Sequence, residues 1–323
     1  VDSGGVVVAT KNLDKLDKQA GKTERSVTSL ADKAERASRR MRDVGKGLTT
    51  WVSLPLSAAA AASVKMATDF ESSFANVRKT VDATEKQFAQ MSAEIRQLAK
   101  EVPTSVNELN RLAGVAGQLG VEQKNIVSFT RTIAMLGDTT DIAGEQAALS
   151  LSRFMNVLGT AQGDIDRVGA TIVGLGNKFA AMESEIVDIG TSLAAFGSQL
   201  NLSESDVLAF ATAIAASGGQ AQAASTAFQK AAMTMQQAVL EGNEDLQLFA
   251  NVAGTSAEQF AASFRESASG ALLMFLEGLR RVRDEGQSTA SVLEGLGLAD
   301  QRLQREFGKV TGNLDQLRDA LGV

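Results

Sequence analysis

Residues 112–119 read Leu112-Ala113-Gly114-Val115-Ala116-Gly117-Gln118-Leu119, and 81 residues later the chain reads Leu193-Ala194-Ala195-Phe196-Gly197-Ser198-Gln199-Leu200. Apolar residues recur at helical spacing in both, with small residues between them, as on a helix approached closely by a neighbour. The match continues at the same offset. Val121 meets Leu202, Ile126 meets Val207, Phe129 meets Phe210, Ile133-Ala134 meets Ile214-Ala215, and Gly137 meets Gly218. Upstream, Val106 meets Val187 and Leu98 meets Phe179. Apolar positions and glycines that stay in step over such a distance mark an internal duplication, against the alternative of chance matching among Ala-rich helices. Two helical repeats are predicted, 82–164 and 165–244, each with about four helices.

Start and stop signals support helices throughout. Thr84-Glu85-Lys86-Gln87 and Ser105-Val106-Asn107-Glu108 have the form of capping boxes. Ser203 with Asp206 is a similar start, Ser184 or Glu185 opens another helix, and Ser256 a further one. Gly120, Gly137, Gly159, Gly176 and Gly218 are placed to end helices. Residues 53–81 are predicted to form an Ala-rich connecting helix that begins at Pro55 and includes Ala58–Ala62. Residues 245–323 form C-terminal helices, one carrying Ala271–Leu279, with Val292–Leu298 leading into Asp300–Val310. No sustained alternation of period two occurs, so no sheet is expected. The fold class is all-α: an N-terminal coiled-coil helix followed by a Gly-punctuated array of short helices with an internal duplication. The repeats are expected to pack as an antiparallel bundle or array.

Residues 1–52 hold a lead-in, with Val6–Val8 extended or a short strand, and then the coiled-coil helix. The seam positions are Leu13, Leu16, Ala20, Thr23, Val27, Leu30, Ala34, Ala37, Met41, Val44, Leu48 and Trp51. All but Thr23 are apolar, and Ala31 is the one apolar residue between them. A 3–4 spacing held without a slip specifies helices that wind around one another. These apolar positions are the candidate helix–helix interface, within the chain or between copies.

Composition narrows the chemistry. The chain of 323 residues has no His and no Cys. Imidazole bases, Ser-His-Asp arrangements, thiolate sites and disulfides are therefore impossible. No Gly-x-Ser-x-Gly elbow, Walker loop or dinucleotide fingerprint is present. A carboxylate pair or Ser-Lys chemistry is the remaining enzymatic route, and no pair is assigned. We read the chain as not an enzyme, with no cofactor, metal or small-molecule substrate. Aromatic residues make up 5% of the chain, so cores of Ala, Leu, Val, Ile and Met are expected, with close helix approach at small residues.

The net charge of −6 conceals an asymmetry: between Lys11 and Lys46 there are 11 Lys and Arg against 6 Asp and Glu. Lys33, Arg36, Arg39, Arg40 and Arg42 are candidate contacts to an acidic partner, or the solvated outer face of the coil. Leu48–Val64 carries no charge but is short of the roughly 20 residues a membrane span needs. Val207–Leu240 carries only Lys230, and its Gly218–Gly219 break argues against a span.

The run Met66-Ala67-Thr68-Asp69-Phe70-Glu71-Ser72-Ser73-Phe74-Ala75-Asn76-Val77 is followed in order by Leu109–Gly120, Leu175-Gly176-Asn177 and Leu202-Ser203. Leu276-Glu277-Gly278-Leu279 and Leu293–Leu298 come next. Together they resemble the core region of tail tape measure proteins of long-tailed bacteriophages and prophages. The resemblance covers roughly 54–323, and the coiled coil fits the N-terminal part of such proteins. Those proteins are usually much longer, so this chain is expected to be an N-terminal portion. The resemblance implies a structural assembly protein, several parallel copies of which lie inside the tail tube. Its partners would be itself, the tail tube and tail assembly proteins, and the DNA end or host envelope during ejection. It would set tube length and leave ahead of the DNA, located in the virion tail interior and, during assembly, the host cytoplasm. A membrane-inserting or pore-forming α-helical protein using Trp51–Val64 or Val207–Leu240 is the alternative, and a cytoplasmic scaffold coil a third.

Overall fold

The computed structural model describes residues 68–322, and the packing below lies within 70–322. The seam from Leu13 to Trp51 and the start of the connecting helix lie outside the described residues. Among the described residues there are fifteen α-helices, two 3-10 turns and no strand. The first hairpin is α1 (68–80) with α2 (Glu85–Leu98). The second is α3 (Val106–Gln118) with α4 (Ile126–Thr139); the third unit is α5 (Gly144–Leu158) followed by α6 (Ile165–Lys178), which pack on neighbouring helices more than on each other. The fourth is α7 (Glu183–Gln199) with α8 (Glu204–Ala216). There follow α9 (Ala221–Glu241), α10 (Glu244–Ala253), α11 (Ala257–Glu266) and α12 (Ala268–Asp284). The chain then forms α13 (Thr289–Gly295), α14 (Gln301–Gly312) and α15 (Leu314–Leu321).

The hairpins stack in two rows. In one row α3 packs on α5, α5 on α7 and α7 on α9; in the other α2 packs on α4, α4 on α6 and α6 on α8. Small residues set the spacing within and between rows. A Cβ placed on Gly114 of α3 would lie 2.5 Å from Asn76 of α1, and one on Gly117 would lie 2.7 Å from the Thr80 hydroxyl. In α7 a Cβ on Gly197 would lie 2.6 Å from Val207 of α8. Helices meeting at glycine approach more closely than the usual 8–10 Å between axes.

The repeating unit is shorter than the 81-residue offset. Gly120 and Gly159, the 3-10 turns Gln123–Asn125 and Gln162–Asp164, and the starts Ile126 and Ile165 are each 39 residues apart. The next unit adds three residues: Asn201, Glu204, Val207 and Gly218 stand 42 after Gly159, Gln162, Ile165 and Gly176. The offset of 81 therefore spans two hairpins.

Two of the glycines do not stop helices. Gly137 and Gly176 lie inside the last turns of α4 and α6, which run on to Thr139 and Lys178. Both keep an ordinary helical φ, so nothing forces the helix to end there. A Cβ on Gly176 would meet the Glu183 side chain at the start of α7, and one on Gly137 would make ordinary contact with Gly144. Gly120, Gly159 and Gly218 have φ of 78°, 74° and 66°, the left-handed conformation that closes a helix. The helix expected from Ser184 or Glu185 starts at Glu183. Ser184 instead donates its backbone N–H and hydroxyl to Asp141, in the turn before α5.

One continuous apolar core runs from Phe70 to Leu317. Aliphatic and Ala side chains make up most of it, with a ring cluster of Phe70, Phe74 and Phe88 at its start and a longer one at the C-terminal end. There Phe210, Phe228, Phe307, Phe275, Phe249 and Phe260 form an unbroken chain of ring contacts, with centroids 5.2 to 6.3 Å apart. These rings come from six different helices, α8, α9, α14, α12, α10 and α11.

Candidate functional site

The seam residues Leu13, Leu16, Ala20, Val27, Leu30, Ala34, Ala37, Met41, Val44, Leu48 and Trp51 lie outside the described residues. So do Lys33, Arg36, Arg39, Arg40 and Arg42. What the described residues offer is a set of interfaces that hold one hairpin to the next and close the array.

One equivalent position reaches back from each unit to the unit before it. Gln123 accepts at 2.9 Å from the Gln87 amide. Gln162, 39 residues on, accepts at 2.8 Å from the Glu122 N–H and donates at 3.1 Å to the Gly120 carbonyl. Glu204, in the third unit, pairs with both terminal nitrogens of Arg167 at 3.2 and 3.4 Å. Other links run alongside: Arg111 bridges Glu108 on its own helix and Glu145 on α5, and Thr132 on α4 donates to Asp166 on α6. Thr104, before α3, donates to Asp138 on α4 at 2.9 Å.

The charge pairs shift titration in step with their geometry. Partial burial opposes ionisation of Glu204, yet the Arg167 guanidinium and hydrogen bonds to the helix N-terminus hold its carboxyl below the usual 4.5. Its partner Arg167 is raised, chiefly through the hydrogen bond to Glu204. Arg111 is raised as well, chiefly by its hydrogen bond to Glu108. Glu85 is lowered by its hydrogen bond from Arg78.

The C-terminal helices return to the end of the stack. α15 packs on α8, taking the next place in that row, and α14 packs on α9. Glu306 is 3% exposed. It accepts from the Gln220 N–H at 3.3 Å and from Lys309 at 2.9 Å, while Lys309 also donates to the Gly218 carbonyl at 3.0 Å. One buried acid and its neighbouring lysine thereby hold the turn between α8 and α9. Asn313 donates to Ser217 at 3.3 Å, and Arg318 pairs with Glu277 on α12.

Concave space is limited. A cavity of about 10 Å³ between Leu119, Phe129 and Met155 has room for about one water. An open groove of about 500 Å³ lies between the N-terminal halves of α9 and α14, lined by Gln220, Thr226, Arg302 and Arg305 among others. Among the described residues no three acidic side chains are grouped as a metal site. The stretch Val207–Leu240 is divided at Gly218–Gly219 into α8 and α9, and no described helix is long and apolar enough to cross a membrane.

These features define an all-α array of helical hairpins, stacked neighbour to neighbour and closed by its own last helices. A family profile matches residues 92–297, from within α2 to just past α13, and the chain belongs to the phage-related minor tail protein family. It matches no curated protein and no solved structure. Family membership gives it a structural role in a phage tail.

The residues that sequence inspection missed are the inter-hairpin links, Gln123, Gln162 and Glu204 with Arg111 and Arg167. Their signal was the 39-residue period in Gly120/Gly159 and Ile126/Ile165, which the longer 81-residue match conceals.

Proposed function

We propose that the chain is part of a tail tape measure protein, an assembly protein without catalysis whose length sets that of the tail tube. In this reading several parallel copies are held in register through the seam from Leu13 to Trp51. Tube and other tail assembly proteins gather around them in the host cytoplasm, and the tape comes to lie in the virion tail interior. Lys33, Arg36, Arg39, Arg40 and Arg42 face acidic tube walls or the DNA end. On infection the tape leaves ahead of the DNA and meets the host envelope.

The observation that carries this reading is the neighbour-to-neighbour array in a phage tail family member. Such an array is quasi-one-dimensional. Its length grows in proportion to the number of residues, whether folded or drawn out, which is what a ruler requires.

The test is an in-frame deletion of residues 106–182 in the phage, which leaves Ser105 to cap α7 and removes two hairpins, 77 residues. If the region is extended helix in the tube, tails seen by electron microscopy shorten by about 116 Å at 1.5 Å per residue. If the hairpins stay stacked, the shortening is about 20 Å, at 8–10 Å per layer. Tails of unchanged length would overturn the ruler role.

A further inference from the structure

α9 is the longest described helix, 21 residues, and Lys230 and Glu241 are its only charges. Its buried face meets α7, α10 and α14. Its outer face carries Thr226, Gln229, Met233, Gln236 and Leu240, at steps of 3, 4, 3 and 4. Leu240 is 79% exposed and Met233 49% exposed, the former the most exposed large apolar side chain among the described residues. A 3–4 stripe without charge, on a straight helix about 31 Å long, has the form of a helix-pairing surface. By contrast, the exposed face of α2 presents Glu85, Lys86, Glu94 and Arg96.

The two charges indicate what pairs with it. Neither belongs to an ion pair among the described residues; Glu241 accepts only from the Gln237 and Asn243 amides. They flank the stripe on one side, Lys230 beside Gln229 and Glu241 beside Leu240, 11 residues and about 16 Å apart. A second copy laid parallel would bring like charges together. Laid antiparallel about a two-fold axis near Gln236, it brings each Lys230 to the other copy's Glu241, and each Met233 beside the other copy's Gln236 or Gln237. The stripe is thus self-complementary in one direction only, as an isologous interface must be.

We propose that the outer face of α9 is an antiparallel self-association surface, joining two copies of this chain through Met233, Gln236 and Leu240 with reciprocal Lys230–Glu241 pairs. One helix face buries less than the roughly 800 Å² per partner of a stable dimer. The pairing is therefore weak and concentration-dependent. It stands independently of the tape measure role.

The chain has no cysteine, so one introduced thiol reports one contact. Full-length purified Gln236→Cys should form a disulfide-linked dimer under mild oxidation, and exposed Ala89→Cys on α2 should not. On the Gln236→Cys background, Lys230→Glu should lower association about tenfold by replacing two attractions with repulsions. Adding Glu241→Lys should restore it. Positions 89, 230 and 241 are exposed and 236 is half-buried, and circular dichroism checks that each variant folds. Equal cross-linking at positions 236 and 89, or a charge swap that fails to rescue, would overturn the proposal.

Discussion

Asn201 is the one residue other than glycine with positive φ among the described residues, at 52°. It stands where Gly120 and Gly159 stand in the preceding units, closing α7 as they close α3 and α5. An L-residue in this conformation is strained relative to glycine, though Asn tolerates it better than most. Asn201→Gly should therefore stabilise the protein by about 0.5 kcal/mol, the relief partly offset by the greater freedom of glycine in the unfolded chain. At Gly159 an added Cβ meets nothing within 4 Å, so Gly159→Ala isolates the backbone cost. That substitution should lose about 1–2 kcal/mol and lower the melting midpoint by about 2–4 °C. Thermal denaturation of the two variants should give shifts of opposite sign; a loss at both positions would refute the equivalence.

Single helices were largely legible in the sequence because their end signals are local. The capping boxes at Thr84 and Ser203 form as the spacing predicts, and Ser105 and Ser256 cap α3 and α11. Gly137 and Gly176 lie within helices at ordinary φ, and one sequence does not distinguish such a glycine from one that closes a helix at positive φ. The links between hairpins were harder still, since each joins residues about 34 to 43 apart whose partnership only the stacking creates. One of these links makes acid sensitivity a property of the elements. The Glu204 carboxyl takes its proton at lower pH in the folded state than in the unfolded chain. Its contribution is therefore complete above the ordinary value of 4.5 and is lost as pH falls below it. Between about pH 5 and pH 3 the wild type should lose stability more steeply than Glu204→Gln. Parallel slopes in urea titrations would show that the pair carries no linkage.

For the whole molecule, the two ends of the described region should behave differently. From α3 to α6 each hairpin is held mainly by its neighbours, with one bond from Lys178 at the end of α6 to Asp319 on α15, whereas α8 to α15 are tied together by contacts across 86 to 96 residues and by the chain of phenylalanines. Composition could not foretell this, because a count of Phe says nothing about where the rings meet. Phe307, 1% exposed, touches both Phe228 and Phe275. Phe307→Ala should cost about 3–5 kcal/mol. Amide exchange should rise across α8, α9, α12 and α14 while α3 to α6 stay protected. Uniform loss of protection would mean that the array unfolds as a single cooperative body.

The return of α15 to α8 also has a consequence in time. During synthesis the surface of α8 is complete at Ala216, but its covering helix starts at Leu314, 98 residues later. At about 5–20 residues per second, the ribosome leaves that surface bare for roughly 5–20 s. The nascent chain therefore carries an open docking place that another copy's last helix could occupy first, so exchange of α15 between molecules is the characteristic error of its birth.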